Sequence, residues 1–173
     1  TGHYVTQDRY PAFSGSGGLM TTIRDLQKFD RDFHIGHLVW SSAVRKLLLK
    51  PATTNESQSV IGPDGLPYAA GLHVGTLRGV RWISHSGVAT GFRSDYVRLP
   101  DRQTGVAVLC NRGDVRPVAL ARQIVEVLSA TIGVGLDPGP WPSPSRRPDS
   151  TATQDSQAPS AELVRALQGR YRS

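Results

Sequence analysis

Residues 79–85, 92–99 and 106–110 are short runs rich in strand-forming side chains, parted by small, turn-forming residues. This spacing constrains the fold more than any other feature. Strands joined by connections this short pair antiparallel, because a parallel crossover needs a dozen or more residues. Side chains alternate along a strand, so Ile83 and His85 share one face while Trp82, Ser84 and Ser86 share the other. This run is expected to stop at a small-residue bend at Gly87. In the next run Phe92, Ser94, Tyr96 and Arg98 fall on one face, and Arg93, Asp95, Val97 and Leu99 on the other. Residues 106–110 are apolar at nearly every position, which suits a central strand covered on both faces. Upstream, residues 68–74 read as the partner of 79–85, joined by a turn at 75–78. His73 within that partner reads as a strand histidine satisfied by its neighbours.

Helices flank this sheet. Thr22 caps a helix whose buried stripe is Ile23, Leu26, Phe29 and Phe33, with Asp25 in its first turn and Lys28, Asp30, Arg31 and Asp32 on the wet side. Ser41 or Ser42 caps a second, short helix with Val44, Leu47 and Leu48 inward. Residues 51–66, punctuated by Pro63-Asp64-Gly65, form a loop. Asp114 caps a third helix, with Pro117 in its first turn, Val118, Ala121, Val125 and Leu128 as its stripe, and Gly133 as its stop. The expected class is α+β: antiparallel strands flanked by helices over residues 1–136. Residues 137–160 hold six prolines and many Ser and Thr, and read as a linker unable to bury enough surface to order itself. Residues 161–173 begin a further domain with a short amphipathic helix.

Several function classes are excluded. The net charge of +6 is scattered among acidic residues rather than gathered in a basic stripe, so nucleic acid is not the expected partner. No apolar run approaches the roughly 18 residues of a membrane span. The single Cys110 rules out an intrachain disulfide and reads as a buried small hydrophobe. Gly15-Ser16-Gly17-Gly18 lacks the Gly-Lys-Ser/Thr ending of a phosphate loop and reads as a tight turn. His34 and His37 sit three apart, but a helix-breaking Gly36 and the absence of a thiol or carboxylate partner argue against a metal. No cofactor is expected.

His85-Ser86-Gly87 resembles the third motif of the serine β-lactamase and penicillin-binding-protein superfamily, Lys-Thr-Gly in many members and His-x-Gly in others. The neighbours support this by their order: Ser16-Gly17-Gly18-Leu19 with the helix after it, then Gly91-Phe92-Arg93-Ser94, Leu99-Pro100-Asp101, and Gly105 through Asn111. Class C β-lactamases, esterases and D-aminopeptidases are the relatives that this resemblance implies. It also implies roles. His85 would bind a substrate carboxylate and support the proton network around the nucleophile, and Ser86 would hydrogen-bond the substrate. Gly87 would let the substrate backbone approach, and the Val88 N–H would supply one arm of an oxyanion hole.

The family's nucleophile motif, Ser-x-x-Lys, is absent, and Tyr-x-Ser occurs only as Tyr171-Arg172-Ser173, in the wrong order. Both motifs precede the Gly-Gly-Leu segment in the family. The chain is therefore expected to be the C-terminal part of a serine hydrolase, acting on a small-molecule or peptide substrate together with the N-terminal half of the same domain, and inactive by itself. Gly169-Arg170-Tyr171 resembles the start of a lipocalin-like barrel appended to some relatives. The resemblance also implies a periplasmic or extracellular setting. Histidine in place of lysine tilts the expectation from a β-lactam hydrolase toward an esterase or D-amino-acid peptidase, since imidazole titrates near pH ~6.5 while lysine stays charged. The other reading of the same residues is a non-catalytic binding module.

Overall fold

The computed structural model describes residues 17–36, 38–89, 91–133 and 135–142. Helices α1 (Ile23–Ile35) and α2 (Ser42–Leu48) come first. Four strands follow, β1 (His73–Leu77), β2 (Val80–Ala89), β3 (Phe92–Leu99) and β4 (Thr104–Cys110), and α3 (Pro117–Ile132) comes last. The strands lie side by side in chain order and every neighbouring pair is antiparallel. This is the expected α+β architecture.

Each face of the sheet buries its own cluster, as the alternation requires. Trp82, Val97, Leu99 and Val106 pack beneath Ala121 and Val125 of α3, while Ile83 and Val74 pack with Phe33 of α1 and Trp40. Trp82 is 2% exposed, and its ring lies 5.3 Å from that of Trp141. Packing thus extends past residue 136 into the first residues of the Pro/Ser-rich stretch; the rest of that stretch, and residues 161–173, lie outside the described residues. His37 does too, and no group of three metal-ligating side chains occurs among the described residues. Nor, among them, is any helix long and apolar enough to cross a membrane.

The structure corrects several local readings. The first hairpin turns at Arg78-Gly79, closed by the pair Leu77 and Val80, rather than at 75–78. Both turn residues have positive φ, 47° and 78°, the conformation that a two-residue hairpin loop needs to match strand twist. Strand β2 does not stop at Gly87 but runs to Ala89, because β3 pairs with it residue for residue up to Ala89 and Phe92. Strand β4 is an edge: both faces are partly covered, yet no strand pairs with its outer side among the described residues. Asp114 does not cap α3. Its carboxylate takes two hydrogen bonds from the Arg112 guanidinium, and Arg116 stands at the cap with Pro117 following. Leu47 points outward, 71% exposed, Ile23 is half exposed, and Cys110 is only partly buried.

The largest correction concerns two carboxylates assigned to the wet side of α1. Asp32 is buried and accepts the backbone N–H groups of Leu38, Val39 and Trp40 at 2.7, 2.6 and 3.0 Å, which folds the chain over the end of α1. Asp30 faces the sheet, ion-paired with Arg98 and accepting the Tyr96 hydroxyl at 2.7 Å. The expected caps Thr22 and Ser41 are in place.

Candidate functional site

Strand β1 is half the length of β2, and this leaves an opening. Their pairing ends at His73 with Ser84. From His85 onward β2 keeps β3 on one side, and no strand lies on the other among the described residues. His85 is the first side chain beyond that last pair, exposed at the mouth of a free strand edge.

Tyr68 reaches it from the preceding segment. Its backbone is held at both groups: its N–H donates to Val60 O and its carbonyl accepts from Ala52 N–H, each at 2.7 Å. An isolated bridge to His73 aligns it further. So anchored, the Tyr68 hydroxyl lies 3.3 Å from His85 Nε2. His73 completes a three-ring cluster, with ring centroids 4.9 Å from Tyr68 and 6.0 Å from His85. Behind it, Nδ1 of His73 lies 2.9 Å from Asp64 Oδ1, at ion-pair distance but off the hydrogen-bond axis. The His73 ring fits there because Gly62 has no side chain; a Cβ would come within 2.0 Å of it.

Although His85 has an open edge to solvent, the protein packed around its ring disfavours the charged form and lowers its pKa. The positive charge of a protonated His73 pushes it in the same direction, while the Ser86 backbone and Asp64 oppose it. The neutral imidazole is thus the favoured form at pH 7.

The four residues singled out from the sequence are contiguous on β2 but divide between its faces. His85 and Gly87 share one face, and Ser86 and Val88 the other. Ser86 and Val88 are exposed, Val88 to 77%. Gly87 lies opposite Ser94 of β3, whose hydroxyl oxygen would stand 2.3 Å from an added Cβ. Glycine therefore lets the Ser94 side chain close over the strand. Tyr68 and Asp64 are what sequence reasoning missed: the strand expected over 68–74 begins only at His73, so Tyr68 belongs, like Asp64, to a connecting segment whose fold-back has no periodic signal.

The beta-lactamase family model matches residues 2–131, well over half of the chain. The chain belongs to the beta-lactamase family. Among solved structures it is similar to the octameric penicillin-binding protein homologue from Pyrococcus abyssi, with a TM-score of 0.55 and 22% identity. That match covers 66% of this chain and 25% of the other, so the chain spans about a quarter of that protein's length. At this identity the fold is what the two share. No curated protein matches.

In this beta-lactamase-family chain a second unusual group lies beneath the motif. Asp95 faces Ser86 across β2 and β3, is 4% exposed, and has its pKa pushed up to about 7 by burial, against the opposing pull of Arg122 on α3. A carboxyl whose folded pKa exceeds its unfolded one binds a proton on folding between about pH 4 and pH 7, so its contribution to stability falls as pH rises through that window. Asp95→Asn is expected to raise stability most at pH 8 and least near pH 4, as read by urea denaturation. A variant whose gain is larger at pH 4 than at pH 8 would contradict the assignment.

Proposed function

We propose that this chain supplies the third-motif wall, His85-Ser86-Gly87, of a serine hydrolase whose nucleophile lies outside residues 1–173. The observation that carries the reading is the free edge of β2 that opens at His85, with the motif strung along it. An extended substrate can lie against such an edge, held by backbone hydrogen bonds.

The chemistry is acyl transfer. The serine oxygen bonds to the carbonyl carbon of an ester, amide or β-lactam, the leaving oxygen or nitrogen departs with a proton, and water later releases the acyl group. Negative charge gathers on the carbonyl oxygen as the serine attacks, and in this reading the Val88 N–H is the donor that receives it. His85, neutral at pH 7, takes part in the proton network as an uncharged N–H donor or acceptor. That role fits an ester or a D-amino-acid amide better than a substrate needing a fixed cation for its carboxylate. The Beta-lactamase family assignment supports the hydrolase class, and the His85 environment supports the ester lean.

The test is steady-state turnover of a nitrophenyl ester and a chromogenic β-lactam by the full-length protein that carries this chain. The ester is expected to be the better substrate. Saturable binding of either compound without turnover would move the assignment to a non-catalytic binding module.

A further inference from the structure

We propose that Tyr68 is a positioning residue for His85: its hydroxyl donates to Nε2 and holds the imidazole as the neutral Nδ1–H tautomer, turning Nδ1–H toward the reacting groups. The inference rests on the hydrolase reading only for what Nδ1–H would meet; the tautomer itself follows from the local geometry.

Three observations carry it. First, the Tyr68 hydroxyl is within hydrogen-bonding distance of Nε2, the ring nitrogen farther from the backbone. Between a phenol and a neutral imidazole the phenol is the better donor and the imidazole nitrogen the better acceptor, so the proton of this bond belongs to oxygen. Nitrogen Nε2 then carries no proton of its own, and Nδ1 must carry one. Second, Tyr68 cannot readily turn away. Both of its backbone groups are bonded within the loop, and its ring packs edge-on against His73. Third, the protein packed around the ring, and after it the charge of a protonated His73, favour the neutral imidazole over the opposing Ser86 backbone and Asp64. Among the described residues, the titratable groups facing His85 are Tyr68 and Asp64 from the connecting segment, His73 from β1, and Tyr96 opposite it on β3, whose hydroxyl is already committed to Asp30. Asp64 is turned to His73 rather than to His85, so among the described residues no carboxylate pairs with His85 to fix it as a cation. Its lowered pKa is the expected result.

A neutral tautomer fixed this way would otherwise interchange freely with its alternative. In the Nε2–H form the imidazole would offer a bare nitrogen, an acceptor, where the Nδ1–H form offers a donor. Tyr68 would thus decide what kind of hydrogen bond the third motif makes, without itself touching substrate.

Long-range proton–nitrogen correlation spectra of the full-length protein, with His85 assigned by His85→Gln, report both the tautomer and the titration midpoint. In the wild type, Nδ1 should show the shift of a protonated nitrogen at pH 7.5 and Nε2 that of a bare one. In Tyr68→Phe the pattern should move toward the Nε2–H tautomer, and the midpoint should rise by about half a pH unit, the size expected for one lost hydrogen bond to the neutral form. The acid limb of the acyl-transfer pH profile should rise with it. A wild-type Nε2–H tautomer, or a Tyr68→Phe spectrum identical to the wild type, would overturn the positioning role. A protein that shows the predicted tautomers and yet is not acylated would overturn the hydrolase reading alone.

Discussion

Replacing His85 by alanine in the full-length protein is expected to lower kcat/KM for a nitrophenyl ester by about a hundredfold or more, the lower range of what a placed proton-transfer group contributes. The same change should leave the melting temperature nearly unmoved. His85 is exposed, and its hydrogen bond to Tyr68 lies at the surface, so the cost to folding should stay within about 0.5 kcal/mol. This separation of activity from stability distinguishes a residue of the site from a strand-end histidine that merely finishes the fold. The loss should also shrink as pH falls, because the wild type loses its own neutral imidazole there while the alanine variant has none to lose. With the pKa lowered, the neutral form prevails at pH 7, and activity is expected to drop only as pH passes below the usual imidazole range, through the folded-state pKa. An alanine variant with unchanged kcat/KM would remove His85 from the site, whatever the family's motif implies.

The largest effect on folding is expected from Asp30→Ala. Arg98 is 1% exposed, lies 5.0 Å over the Phe33 ring, and has Asp30 as its ion-pair partner. Removing the carboxylate leaves a buried guanidinium uncompensated and strips the Tyr96 hydroxyl of its acceptor. Breaking a buried pair from one side costs about 3–5 kcal/mol. That is a large share of a domain's marginal stability. Tyr96 is partly buried, and burial together with Asp30 raises its pKa, so in the wild type its hydroxyl keeps its proton and donates it to Asp30. Asp30→Asn keeps an acceptor for Tyr96 but not the charge, and should cost less than the alanine. Denaturation midpoints of the two variants check this; equal and small losses would mean that α1 is held on the sheet by Phe33 and Trp40 alone.

These two residues mark what was legible in the sequence and what was not. The faces on which His85, Ser86 and Gly87 fall could be read because alternation along β2 and β3 is a local signal: Trp82 and Ile83 do pack on opposite faces, and so do Val97 and Arg98. The caps at Thr22 and Ser41 were legible for the same reason, since donor and acceptor are three residues apart. Asp30 was misread because helical periodicity assigns a carboxylate to solvent unless a partner is known, and its partners, Tyr96 and Arg98, arrive from 66 positions or more away. Tyr68 escaped notice in the same way. Its link to His85 spans 17 residues and depends on a loop folding back on itself. The hairpin at Arg78-Gly79 was displaced by a turn-like Gly75-Thr76, yet Gly75 sits within β1 opposite Trp82.

The measurement that bears most directly on the central claim is active-site labelling of the full-length protein with a fluorophosphonate, followed by mass-spectrometric mapping of the modified residue. The account predicts a single labelled serine outside residues 1–173, with labelling slowed by His85→Ala and none on this polypeptide by itself. A label on a serine within these 173 residues, or no label at all, would contradict it.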